Sequence, residues 1–152
     1  MFAVFIFGPA AMTQTTDLSP SPAACEWPRG TRVLLDPREL PEPIRASLRQ
    51  HLPDLAARDA AFQRHDVVPD PPLPLRRFAW AVSGRRSWVV VYEHGGFGDH
   101  VHAITFRERG APHPRGQYML FPNANLIGSP CAIVLRRLPA SMAGKTIERF
   151  AK

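Results

Sequence analysis

His94, His100 and His102 lie within nine consecutive positions, and a glycine-rich segment, Gly95-Gly96-Phe97-Gly98-Asp99, separates the first from the second. Imidazole is the side chain whose charge changes nearest neutral pH, and it is a common ligand for zinc, copper and non-haem iron. Whether the three rings meet depends on strand parity. His100 and His102, two positions apart, share a face of any strand that contains both. His94 joins them if the intervening turn has three or five residues, whereas two or four would send it to the opposite face. The odd count pairs His94 with His100 and Tyr92 with His102. It also gathers Trp88, Val90, Ile104 and Phe106 on the same face, so hydrophobic matching favours it. The expected result is an aromatic and aliphatic floor that ends in three imidazoles at a glycine-lined rim. Such a rim suits a zinc or iron ion held by His94, His100 and His102, or, without metal, acid/base chemistry by a histidine with Tyr92. Strand alternation sends Glu93 to the other face, and no HExxH, G-x-S-x-G or complete P-loop pattern is present.

The strands that must position this rim fall between residues 75 and 111. That stretch contains no proline, although twelve of the chain's 17 prolines lie in the first 74 residues. Arg77 to Ser83, Ser87 to His94 and His100 to Arg107 are rich in β-branched and aromatic residues and predict a three-stranded meander. Within the first of them, Phe78, Trp80 and Val82 are expected on one face. Tyr118 to Phe121 and Ala132 to Arg136 are expected as two further short strands, Thr31 to Leu35 as a strand upstream, and Ser141 to Phe150 as a short helix. Ile44, Leu48 and Leu52 follow helical spacing from Pro43, and Pro53 suits the start of a second helix over Asp54 to Arg64. Residues 1 to 30 read as a flexible N-terminal segment and residues 31 to 152 as a single domain. The expected fold class is α+β: a four- or five-stranded, mainly antiparallel meander sheet from about residue 75. An N-terminal helical pair, residues 43 to 65, packs on one of its faces and leaves the other open.

At 152 residues the chain has the length of one domain, and 45% hydrophobic with 21% charged residues excludes a disordered tail, a collagen-like repeat and a membrane bundle. The apolar run Met1 to Met12 is too short to span a bilayer and has no basic residue ahead of it. Cys25 and Cys131 form neither a metal-binding CxxC nor a disulfide framework. Idle thiols are expected in the cytoplasm, the expected compartment, and one long-range disulfide in an exported protein.

The charge is divided unevenly. Residues 1 to 75 carry 7 basic and 9 acidic side chains, and residues 76 to 152 carry 12 basic and 4 acidic. Three arginine pairs, Arg76-Arg77, Arg85-Arg86 and Arg136-Arg137, stand at expected strand ends. With an open sheet face and no complete catalytic motif, this basic half suits a protein-binding module that recognises an acidic partner or a second copy of itself, with no cofactor. The alternative expectation is a small metal-dependent enzyme of hydrolase or oxygenase type, using His94, His100 and His102. Single-stranded nucleic-acid binding, through the arginines with Phe78, Trp80 and Trp88, comes third.

Overall fold

Stiff, branched side chains and a gap in the prolines make residues 76 to 108 the centre of the molecule. A computed structural model describes residues 21–67, 71–97, 100–110, 118–121 and 130–138. In chain order the elements are β1 (Arg32–Leu34), α1 (Glu42–His51), β2 (Leu55–Ala56), β3 (Arg76–Ser83), β4 (Ser87–His94), β5 (His100–Glu108), β6 (Tyr118–Phe121) and α2 (Pro130–Arg137). They build one six-stranded sheet in the order β1-β3-β4-β5-β6, and β2 also pairs with β3. Every pairing is antiparallel except β2 with β3, so the class is α+β with a mainly antiparallel sheet.

One face of the sheet is closed by α1. Ile44 and Leu48, with Leu52 at the helix end, lie at successive turns and are all buried, beside Leu34, Leu40, Phe78, Ala81, Val90, Tyr92, Ile104 and Phe106. Each such aliphatic side chain removed from water contributes about 1.5 to 3 kcal/mol. The floor expected beneath the histidines therefore exists, with Trp88 partly buried against it.

The opposite face is closed as well, by pieces that lie far apart in sequence. Val134 and Leu138, on and just beyond α2, cover Trp80, Val82, Val89, Val91 and Ala103, and Trp27 packs on the same cluster. The Trp27 ring meets Trp80 edge-on at 5.7 Å between centroids, and its Nε1–H donates to the Pro22 carbonyl at 2.9 Å. A disulfide between Cys25 and Cys131 ties the Trp27 segment to α2. Residues 21 to 30, expected to have no core of their own, are thus fastened to the sheet by a ring contact and a covalent bond, and no described face is left open.

Three expectations are corrected here. The helical pair is a single helix: after α1 the chain turns at Pro53-Asp54, and Leu55–Ala56 pairs in parallel with Arg76–Arg77. Leu55 and Phe62 are too sparse an apolar face to hold a helix against the sheet. Specific anchors replace one: Arg58 Nη1 donates to the Ala79 carbonyl at 3.1 Å, and the Arg77 guanidinium lies 4.4 Å from the Phe62 ring centre. The segment expected as a strand over Ala132 to Arg136 lies in α2. Short apolar runs do not distinguish strand from helix, and here Val134 and Leu138 bury at i, i+4 behind a proline suited to the first turn. Finally, a bulge between Phe78 and Trp80 breaks the alternation of β3, so Phe78 faces α1 whereas Trp80 and Val82 face α2. Residues 1 to 20, the loop over 122–129 and the helix expected over Ser141 to Phe150 lie outside the described residues.

Candidate metal centre

The hairpin adopts the odd register expected from hydrophobic matching. His94 lies opposite His100 and Tyr92 opposite His102, with five residues between the strands. Two rungs of the α1 face result: Arg76, His94 and His100 across β3, β4 and β5, then Phe78, Tyr92 and His102. The turn that sets this register begins at Gly95, where a Cβ would fall on the Gln63 carbonyl oxygen, so only glycine fits. Gly95 N–H donates to the Leu75 carbonyl at 2.9 Å, Gln63 N–H donates to the Pro74 carbonyl at 2.8 Å, and Gly96 takes a φ of +96°. Loop backbone thus holds the near end of the rim in place.

His94, His100 and His102 form one cluster in which each residue offers a ring nitrogen, all within 4.8 Å of one another. His94 Nδ1 and His100 Nε2 are 3.3 Å apart, a hydrogen bond in which one ring donates to the other. Nitrogens bound at zinc–nitrogen distances of about 2.0 to 2.1 Å around a tetrahedral ion stand about 3.3 Å apart, so this pair already has the spacing of a ligand edge. The rings pack at centroid distances of 5.0 Å for His94 and His100, 5.3 Å for His94 and His102, and 4.6 Å for His100 and His102. Tyr92 stacks on His102 at 5.2 Å with 11° between the planes, which fixes that imidazole against the floor.

Electrostatics favour the neutral, ligating form of His94 and His102. Burial pushes His102 down to about 4, and the neighbouring His100, His94 and Arg76 charges add to the effect. His94 is lowered for the same first reason, then by Arg76 and His100, with Asp54 opposing. Burial raises the Tyr92 phenol above its usual range, so it stays protonated near neutrality. His102 Nε2 is shut off from water and has no hydrogen-bond partner among the described residues. A buried polar atom left this way costs about 1 to 3 kcal/mol, a cost that coordination would remove.

The other named residues distribute differently. Arg76 adjoins His94 and is ion-paired with Asp54. The sequence pattern, which predicts a helix over this segment, does not place that carboxylate beside the cluster; the parallel β2–β3 pairing brings it there. Arg77 lies on the other face, 2.6 Å from the buried Glu93 carboxylate. Arg86 pairs with Glu108 at 3.2 Å and donates to the Arg109 carbonyl; Arg85 also has interaction partners. Arg136 is exposed on α2, and its neighbour Arg137 is engaged. Arg76 and Arg77 thus lie on opposite faces of β3, while the three histidines come together.

Known proteins offer no shortcut to this site. No family model matches the chain, and no curated protein or solved structure is significantly similar to it.

Proposed function

We propose that the chain binds one divalent transition-metal ion, zinc before the others, on His94, His100 and His102, and that the ion keeps one coordination position open at the rim. The observation that carries this proposal is the convergence of three imidazoles within 4.8 Å, one of them with a buried Nε2 that has no hydrogen-bond partner among the described residues. Three neutral nitrogen ligands fit zinc, which accepts a tetrahedral set of three protein ligands and a water. Non-haem iron ordinarily adds a carboxylate to two histidines, and the cluster has no carboxylate among the described residues. An ion with an open position acts as a Lewis acid on a bound oxygen or activates water, which suits the hydrolase branch of the enzyme alternative. Tyr92 orients His102 by stacking, and the Asp54–Arg76 pair supplies polar groups at the edge of the site.

The acidic-partner proposal has less support. It needs an open face, which α2 and Trp27 cover, and a basic C-terminal half, in which Arg76, Arg77 and Arg86 have carboxylate partners within the chain. Stacking on nucleic-acid bases has the same difficulty, since Phe78 and Trp80 are buried. The Cys25–Cys131 bond favours an oxidising compartment over the cytoplasm. No helix among the described residues is long and apolar enough to cross a membrane.

Elemental analysis of untagged protein purified without chelator tests the proposal, together with thermal melts in added zinc. Near-stoichiometric metal and a raised melting temperature are expected, and both should be lost when His100 and His102 become alanine. A metal ratio near zero with no thermal response to zinc, copper, iron or manganese would remove the proposal.

A further inference from the structure

A groove of about 240 Å³ runs along the outer side of α1, where the helix meets the 3-10 turn after β1 and the β2 segment. Its floor is apolar: Leu48 and Leu52 are 4% and 7% exposed, and Leu55 continues them. Its wall is cationic, with Arg38, Arg45 and Arg49 among the lining residues and no carboxylate among them. Arg45, Leu48, Arg49 and Leu52 follow i, i+3, i+4, i+7 spacing, so a single helical stripe presents charge and floor together. The volume is just below the about 300 Å³ where pockets for drug-sized ligands begin, which limits an occupant to small molecules.

The charges are not internally balanced. Arg38 has its own partner in Asp36, but Arg45 and Arg49 share the one carboxylate of Glu42, each at 2.6 Å. Two guanidiniums on one carboxylate leave a net positive charge at the wall. In addition, Arg45 Nε is shielded from solvent and has no acceptor among the described residues, although its terminal nitrogens reach Glu42 and the Arg38 carbonyl. The wall carries an unbalanced positive charge, and the accessible apolar lining is Pro37, Pro53, Leu55 and Ala56, with the buried Leu48 and Leu52 beneath.

We infer that this groove is a binding site, separate from the histidine rim, for a small carboxylate with a short apolar tail. Arg49 is bonded to Glu42 through Nη2 alone and offers its other N–H groups to a carboxylate, with Arg45 adding charge beside it, and the tail lies against Leu55, Ala56 and the flanking prolines. The two halves are recognised together: neither a neutral amphiphile nor a tail-free anion satisfies both wall and floor.

Octanoate is a suitable probe, followed by amide NMR shifts on the full-length protein, with octan-1-ol and acetate as the matched controls. Saturable shifts centred on Arg45, Leu48 and Leu52 are expected with octanoate and not with the controls. The affinity should fall roughly tenfold or more in Arg45→Met and Arg49→Met. Arg49 is exposed, so Arg49→Met should melt with the parent and isolates the binding effect, and His102→Ala should bind octanoate unchanged. Equal binding of octan-1-ol, insensitivity to both arginine substitutions, or no saturable shifts with octanoate would overturn the inference.

Discussion

The face of the sheet under α1 and the face under α2 are built from the same three strands, β3 to β5, yet they are closed in different ways. The first is covered by a helix drawn from the chain just upstream, through Ile44, Leu48 and Leu52, with no covalent help. The second is covered by two pieces 106 positions apart, the Trp27 segment and α2, joined by the Cys25–Cys131 bond. Polar chemistry divides the same way. The α1 face ends in three imidazoles at its rim, while on the other face the Glu93 carboxylate is neutralised by Arg77. The cover drawn from nearby chain ends beside three converging histidines, whereas the cover drawn from distant pieces is joined by a disulfide.

The sharpest way to break the comparison is to hollow out each face in turn. Trp80→Ala should cost about 3 to 5 kcal/mol and Ile44→Ala about 2 to 5 kcal/mol in urea unfolding, since both side chains are fully buried. The faces then separate in the next experiment. Replacing Cys25 and Cys131 by serine should cost about 2 to 5 kcal/mol, because a long loop regains freedom in the unfolded chain. Trp27 fluorescence should shift towards its exposed value while the α1 face stays intact. If the pair of serines leaves stability and Trp27 unchanged, the staple is dispensable and the contrast between the faces fails.

Coupling gives a finer measure. Val134→Ala should be less damaging in the cysteine-free protein than in the oxidised one, by about 0.5 to 3 kcal/mol, whereas Ile44→Ala should cost the same in both. Equal additivity on both faces would mean that α2 docks without the disulfide.

The smallest effect concerns pH in the metal-free protein. His102 is held near 4 when folded and returns to about 6.5 when unfolded, so between these values the unfolded chain binds more protons. Stability is therefore full above pH 6.5 and declines as pH falls towards 4. In thermal melts between pH 7 and 4.5, His102→Gln should flatten that decline. An unchanged slope would place the acid sensitivity elsewhere.

Much of the rim is legible in the sequence, because strand alternation is strict and hydrophobic matching favours the odd parity that joins His94 to His100 and His102. The meander and α1 were legible for the same reason, since period-two and period-3.6 patterns are local. What stayed hidden depended on distant partners. Leu55–Ala56 is a strand only because Arg76–Arg77 lies beside it, and the bulge after Phe78 has no sequence mark of its own. Ala132 to Arg136 could serve as strand or helix until burial of Val134 and Leu138 decided it. Asp54 came to the histidines by the same hidden pairing.

The most direct test of the histidine rim is anomalous diffraction at the zinc edge from crystals grown with zinc. The account predicts one peak about 2.0 to 2.1 Å from a ring nitrogen of each of His94, His100 and His102, with a fourth position facing solvent. Zinc found only at His51 or His65, or a rim that stays unliganded in saturating zinc, would contradict it.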